Sequence, residues 1–115
     1  SIINLTFGSH FNQKIIIPDS VTKLTFDDCF YQNIEIPSSV VELICGDNFN
    51  KNISLPNSIK YLTCGYYFNL HIPNSVTNLT FGHNVSQQLK NDIHESVIYL
   101  KIILLNYVII LYQKT

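Results

Sequence analysis

His10, Asp28 and Cys29 are the residues of this chain whose types suit nucleophilic chemistry. An imidazolium beside a thiol lowers the thiol's pKa and makes a nucleophile, and a carboxylate orients the imidazole. Their spacing carries more information than their types. His10 and Cys29 stand nineteen residues apart, as do Leu5 and Leu24 ahead of them and Phe11 and Phe30 behind. The two therefore hold the same place in consecutive copies of one pattern, and any fold that stacks the copies brings them together. The same place continues as Asn48, Tyr67 and Asn84, and no oxyanion donor accompanies the pair. A thiol-dependent enzyme using Cys29 and His10 is thus the alternative reading. Cys45 and Cys64 share a different place in the pattern. Adjacent parallel strands in register rarely give disulfide geometry, so these two are expected as buried thiols standing in for Phe. No metal or cofactor is expected.

The elements that must position these groups follow from the pattern itself. Leu5, Leu24, Leu43, Leu62, Leu79 and Leu100 advance by 19, 19, 19, 17 and 21 residues. A period near twenty marks a solenoid, whose units bury their apolar faces only against their neighbours. Phe7, Phe26, Cys45, Cys64 and Phe81 follow each Leu by two residues, which is strand alternation. Further apolar columns run through Phe11, Phe30, Phe49, Phe68 and Val85, through Ile17, Ile36, Leu55, Ile72 and Ile93, and through Val21, Val40, Ile59, Val76 and Val97. About five inward side chains per unit, each contributing roughly 1.5–3 kcal/mol when buried, hold the stack. The expected fold is a β-rich solenoid with one short parallel strand per unit. Its units are 5–23, 24–42, 43–61, 62–78 and 79–99 within a repeat domain 1–99, and the apolar segment 100–115 adds one or two strands or a cap.

Turn residues are periodic too. Gly8, Gly46, Gly65 and Gly82, with Asp27 in the second unit, suit a position of positive φ. Pro18, Pro37, Pro56 and Pro73 are expected in an extended outer segment that forms no ladder. Ser20, Ser39, Ser58, Ser75 and Ser96 place hydroxyls where turn backbone needs partners, and Asn12, Asn50 and Asn69 are expected to do the same as buried amides.

The pattern LTFGxxFNxxIxxPxSV, present nearly whole in LTFGSHFNQKIIIPDSV and in LICGDNFNKNISLPNSI, resembles the FNIP repeat, named for its Phe-Asn and Ile-Pro pairs. That family is similar to leucine-rich repeats and is abundant in social amoebae and in giant viruses of amoebae, often as many copies behind an F-box or a kinase module. The resemblance covers Leu5 to about Tyr99 and implies a leucine-rich-repeat-like stack. Units here are shorter than is usual for the family, Tyr31, Cys45 and Cys64 replace motif residues, and the fifth unit keeps LTFG and SV alone. With neither an F-box nor a kinase segment among these residues, the resemblance carries no ubiquitin-ligase or signalling role.

Residues flanking each strand Leu point away from the core. Lys23, Glu42, Tyr61 and Asn78 form one column, and Thr25, Ile44, Thr63 and Thr80 form the other. In horseshoe-type solenoids this face is the usual binding surface, and side chains on a rigid sheet lose little entropy on binding. Strand propensity accounts for the Thr column. It does not account for the mixed Lys, Glu and Tyr. The expected function is a non-enzymatic module that binds a protein partner through this face.

Composition narrows the alternatives. A formal charge of -1, with every basic residue a Lys, offers no surplus to hold phosphate backbone, so no nucleic-acid partner is expected. Three cysteines that follow the repeat, and no signal peptide, place the chain inside the cell, in the cytoplasm or in host cytoplasm if viral. The apolar run after Lys101 is eleven residues, short of the roughly 20 that span a bilayer as a helix, so no membrane span is expected. Ser1 to Asn4 match the close of a unit, so the chain reads as a fragment or a decayed short copy of a longer array. In the last case it has no independent function. Uncapped solenoid ends lead us to expect self-association.

Overall fold

The computed structural model describes residues 3–49, 53–81, 93, 95–103 and 108–112. Each Leu-centred segment, rich in Thr, Ile, Val and Tyr, becomes a strand: β1 (Ile3–Thr6), β2 (Val21–Thr25), β3 (Glu42–Ile44), β4 (Tyr61–Cys64), β5 (Asn78–Phe81) and β6 (Tyr99–Ile103). A further strand, β7 (Val108–Tyr112), completes one sheet whose strands lie side by side in chain order. Neighbours from β1 to β6 are parallel, and the Leu column is the register: Leu5, Leu24, Leu43, Leu62, Leu79 and Leu100 pair in succession. The expected leucine-rich-repeat-like stack of parallel strands is the fold.

Parallel strands need crossovers of a dozen or more residues. Here each of the first four crossovers is an irregular arc punctuated by two β-turns. The first turn closes when Phe11, Phe30, Phe49 and Phe68 donate their N–H groups to the carbonyls of Gly8, Asp27, Gly46 and Gly65, at 3.2–3.3 Å. The second closes from Val21, Val40, Ile59 and Val76 onto the carbonyls of Pro18, Pro37, Pro56 and Pro73, at 3.1–3.4 Å. Each proline thus ends an arc that joins no ladder and opens a turn. At the first turn position only its carbonyl is used, so the missing N–H costs nothing.

The glycine column also corrects expectation. Among the described residues no glycine has a positive φ; the one residue that does is His10, at 73°. Glycine is required instead by stacking. A Cβ on Gly46 would strike the Asp27 carbonyl and lie 2.7 Å from the Asp28 nitrogen, and one on Gly65 would strike the Gly46 carbonyl and lie 2.8 Å from the Asp47 Cα. Gly8, in the first unit, would meet nothing within 4 Å. Backbone packed on backbone at Gly46 and Gly65 leaves no room for a side chain, whereas Asp27 carries one at the same place in the second unit.

Inside the coil Leu24, Leu43, Ile59, Ile72, Leu79 and Phe81 are fully buried. The Phe rings form two interlocked stacks, Phe7 on Phe26 on Phe49 at 5.3 and 5.2 Å between centroids and Phe11 on Phe30 on Phe49 at 6.2 and 6.4 Å. A sixth column, Ile15, Ile34, Ile53 and Leu70, packs with the five foreseen from sequence. It alternates with the Ile17 column across one outward residue.

Hydroxyls of Ser39, Ser58 and Ser75 donate to the carbonyls of Val21, Val40 and Ile59 one unit back, at 2.6–2.7 Å. The Asn column behaves otherwise than expected: Asn12 and Asn69 are exposed, not buried. Asn12 still works across units, its Oδ1 accepting the Tyr31 N–H at 2.7 Å. Asn50, Gly82, Val85 and His94 lie outside the described residues.

β7 reverses direction and pairs antiparallel with β6, Ile102 opposite Ile109 and Lys101 opposite Ile110. Four residues separate the two strands. That is too few for a parallel crossover and enough for a reversal.

Candidate functional site

The outward face of the sheet is built by the same register that builds the core. Because side chains alternate along a strand, burying Leu43 in β3 turns Glu42 and Ile44 outward, and each neighbouring strand repeats this. Cα pairing runs Lys23, Glu42, Tyr61, Asn78 and Tyr99 along one column and Thr25, Ile44, Thr63, Thr80 and Lys101 along the other. All eight residues singled out from sequence therefore lie on one face, in two columns about 4.8 Å apart per step.

The face is chemically graded. At the β2–β3 end, Lys23 Nζ and Glu42 Oε2 lie 3.6 Å apart, both substantially exposed. A pair of this kind contributes at most about 1 kcal/mol, so both groups remain available to a partner's charges. Tyr61 is exposed in mid-column, and Ile44 interrupts the Thr column as a half-buried apolar residue. Asn78 accepts a hydrogen bond at Oδ1 from its neighbour Thr77, at 2.9 Å, which orients its amide.

His10 and Cys29 also meet as their shared repeat position requires, Nδ1 and Sγ lying 3.6 Å apart. Asp28 does not join them. Its Oδ1 accepts the Asp47 N–H at 3.0 Å, and Asp47 in turn accepts the Tyr66 N–H at 3.0 Å, so these carboxylates stitch the turns of consecutive units. Both members of the thiol–imidazole pair are exposed on a turn corner. Cys45 and Cys64 are free and buried, and burial pushes both thiols well above the usual range, with the Cys45 charge a lesser cause at Cys64. Among the described residues no three His, Cys, Asp or Glu side chains converge as a metal site would require.

Sequence reasoning overlooked one surface. An open groove of about 940 Å³ lies across the outer arcs of the first two units, lined by Lys14, Ile15, Ile16, Ile34, Glu35 and Pro37. Ile16 is 91% exposed. Its equivalents in later units are Glu35, Ser54 and His71, so its outward position was legible from the alignment of units.

The recurrence of strand, glycine corner, Phe turn and Pro turn is a family signature as well as a fold. A sequence model of the FNIP repeat matches residues 1–29, 11–48 and 30–67. The chain belongs to the FNIP repeat family. Among solved structures this FNIP chain is similar to the giant-virus protein CroV588, described as a novel circular LRR protein structure. The two share 32% identity with a TM-score of 0.57, over 84% of this chain and 20% of that one. The FNIP chain thus spans about a fifth of the length of that protein. No curated protein matches it. Among the described residues no helix is long and apolar enough to cross a membrane.

Proposed function

We propose that the protein is a non-enzymatic interaction module that binds another protein through the columns Lys23, Glu42, Tyr61, Asn78 and Thr25, Ile44, Thr63, Thr80. One observation carries this reading: the register that buries Leu24, Leu43, Leu62 and Leu79 leaves side chains of unlike chemistry fixed on one outward surface. Stacking constrains the Leu, Phe, Gly, Pro and Ser columns, so differences between units accumulate where stacking imposes nothing. A partner of mixed charge with an aromatic or apolar centre fits an ion pair beside Tyr61 and Ile44. The FNIP and leucine-rich-repeat likeness supports an interaction role, and three free thiols suit a reducing cytoplasm.

The test is quantitative affinity purification from the native cell. Wild type is compared with a triple variant, Lys23→Ala, Glu42→Ala and Tyr61→Ala, and with an outer-arc control, Glu35→Ala and Ser54→Ala. The triple variant should lose a partner by about tenfold or more, equivalent to 1.4 kcal/mol, while the control keeps it. An unchanged partner list overturns the proposal.

A further inference from the structure

The two edges of the sheet are built differently. Natural edge strands are blunted by bulges, charges, proline or shortness, because a free row of N–H and C=O groups pairs with any compatible strand. β1 carries two of these defences. Its pairing with β2 slips by one residue between Ile3 and Asn4, and it has only four residues, with polar Asn4 and Thr6 pointing outward.

β7 carries none of them. It is five residues of Val-Ile-Ile-Leu-Tyr, without charge or proline, pairing in unbroken register with β6. Among the described residues β7 pairs with no strand but β6. The surface beside this edge is apolar as well: Val108 is 56% exposed, Ile110 46% and Ile103 38%, with Val108 and Ile103 paired across the strands.

Open main-chain groups mean that the occupant is a strand, and the sequence of β7 makes it complementary to itself. From these features we infer that β7 docks a second copy of this chain, the two β7 strands running antiparallel about a two-fold axis at Ile110. In that pairing Val108 lies opposite the second copy's Tyr112, Ile109 opposite its Leu111, and Ile110 opposite its own equivalent. No charge enters the seam. Among the described residues the nearest cation is Lys101 on β6, so its two copies are three strand spacings apart, about 14 Å, beyond the screening length of about 8 Å at physiological salt. The antiparallel turn of β7 also decides the symmetry. A two-fold contact closes on itself, whereas pairing β7 to the defended β1 of another copy would propagate into a filament.

The interface is independent of the two columns proposed to bind a partner, so either proposal can fail alone. Light scattering of the full chain from about 10 to 500 µM, the range suited to an interface of one strand pair, reads the outcome directly. The expected mass rises with concentration from 13.2 kDa toward twice that value and stops there. Ile110→Lys, which sets two lysines directly opposite each other with Cβ atoms about 5 Å apart across the axis, should hold the chain monomeric while leaving its circular dichroism unchanged. In a Cys29→Ser background, Ile110→Cys should oxidise to a covalent dimer, since facing residues of antiparallel strands lie within disulfide range, while Ile3→Cys should not. A monomer throughout, growth beyond two chains, or cross-linking through position 3 and not 110 overturns the inference.

Discussion

The glycine corner gives the sharpest test of how these units stack. Replacing Gly65 by Ala puts a methyl group against the Gly46 carbonyl and 2.8 Å from the Asp47 Cα, both of them backbone atoms that cannot rotate away. The strand ladder and the turn bond from Phe68 to Gly65 hold that backbone, so relief requires two units to separate locally. Overpacking of this kind costs about 1–3 kcal/mol. Alanine also removes unfolded-state freedom worth about 0.4–1 kcal/mol, because φ at this position suits an L-residue. The net expectation is a loss of about 1–2 kcal/mol, or roughly 4–8 °C in Tm for a chain of this size. Gly8→Ala keeps the entropic gain and meets nothing within 4 Å, so it should be neutral or raise stability by up to about 1 kcal/mol. Urea unfolding followed by far-UV circular dichroism, with equal slopes for all three proteins, measures both changes. If these glycines instead served positive φ, both substitutions would cost the same. Equal effects, or a Gly65→Ala protein as stable as wild type, refute the stacking argument.

Two further outcomes follow from bonds between units and from burial. Ser58→Ala removes the hydroxyl that donates to the Val40 carbonyl at 2.6 Å and should cost about 1 kcal/mol or somewhat more in the same urea assay, since the acceptor is left unpaired; no change would show that water replaces the hydroxyl. Iodoacetamide should modify Cys29 alone in the native protein and all three thiols in denaturant, as read by mass spectrometry. Its rate at Cys29 should lie within about tenfold of free cysteine, and a much faster reaction would revive the His10–Cys29 enzyme reading.

Much of this architecture was legible because a solenoid repeats its constraints. Six leucines at nearly equal spacing specify a parallel stack, and alternation about each Leu specifies which neighbours face outward, so Lys23, Glu42 and Tyr61 were placed in one column from spacing alone. The errors fall where one residue type serves several geometries. Glycine satisfies both positive φ and close approach, and only the position of Asp27 beneath Gly46 shows which applies. Asp28 lies beside Cys29 in sequence, yet its carboxylate caps the next unit's turn and leaves the imidazole alone.

The amino-acid sequence by itself determined the period, the fold class, the identity of the core columns and the two columns left outside. Each of these depends on which side of a strand a residue occupies, and that is a matter of parity along the chain. Tertiary structure alone decided the approach of backbones at the glycine corner, the ion pair across β2 and β3, and the reversal that makes β7 an antiparallel edge. These depend on distances between units, and no pattern within a unit encodes a distance to its neighbour.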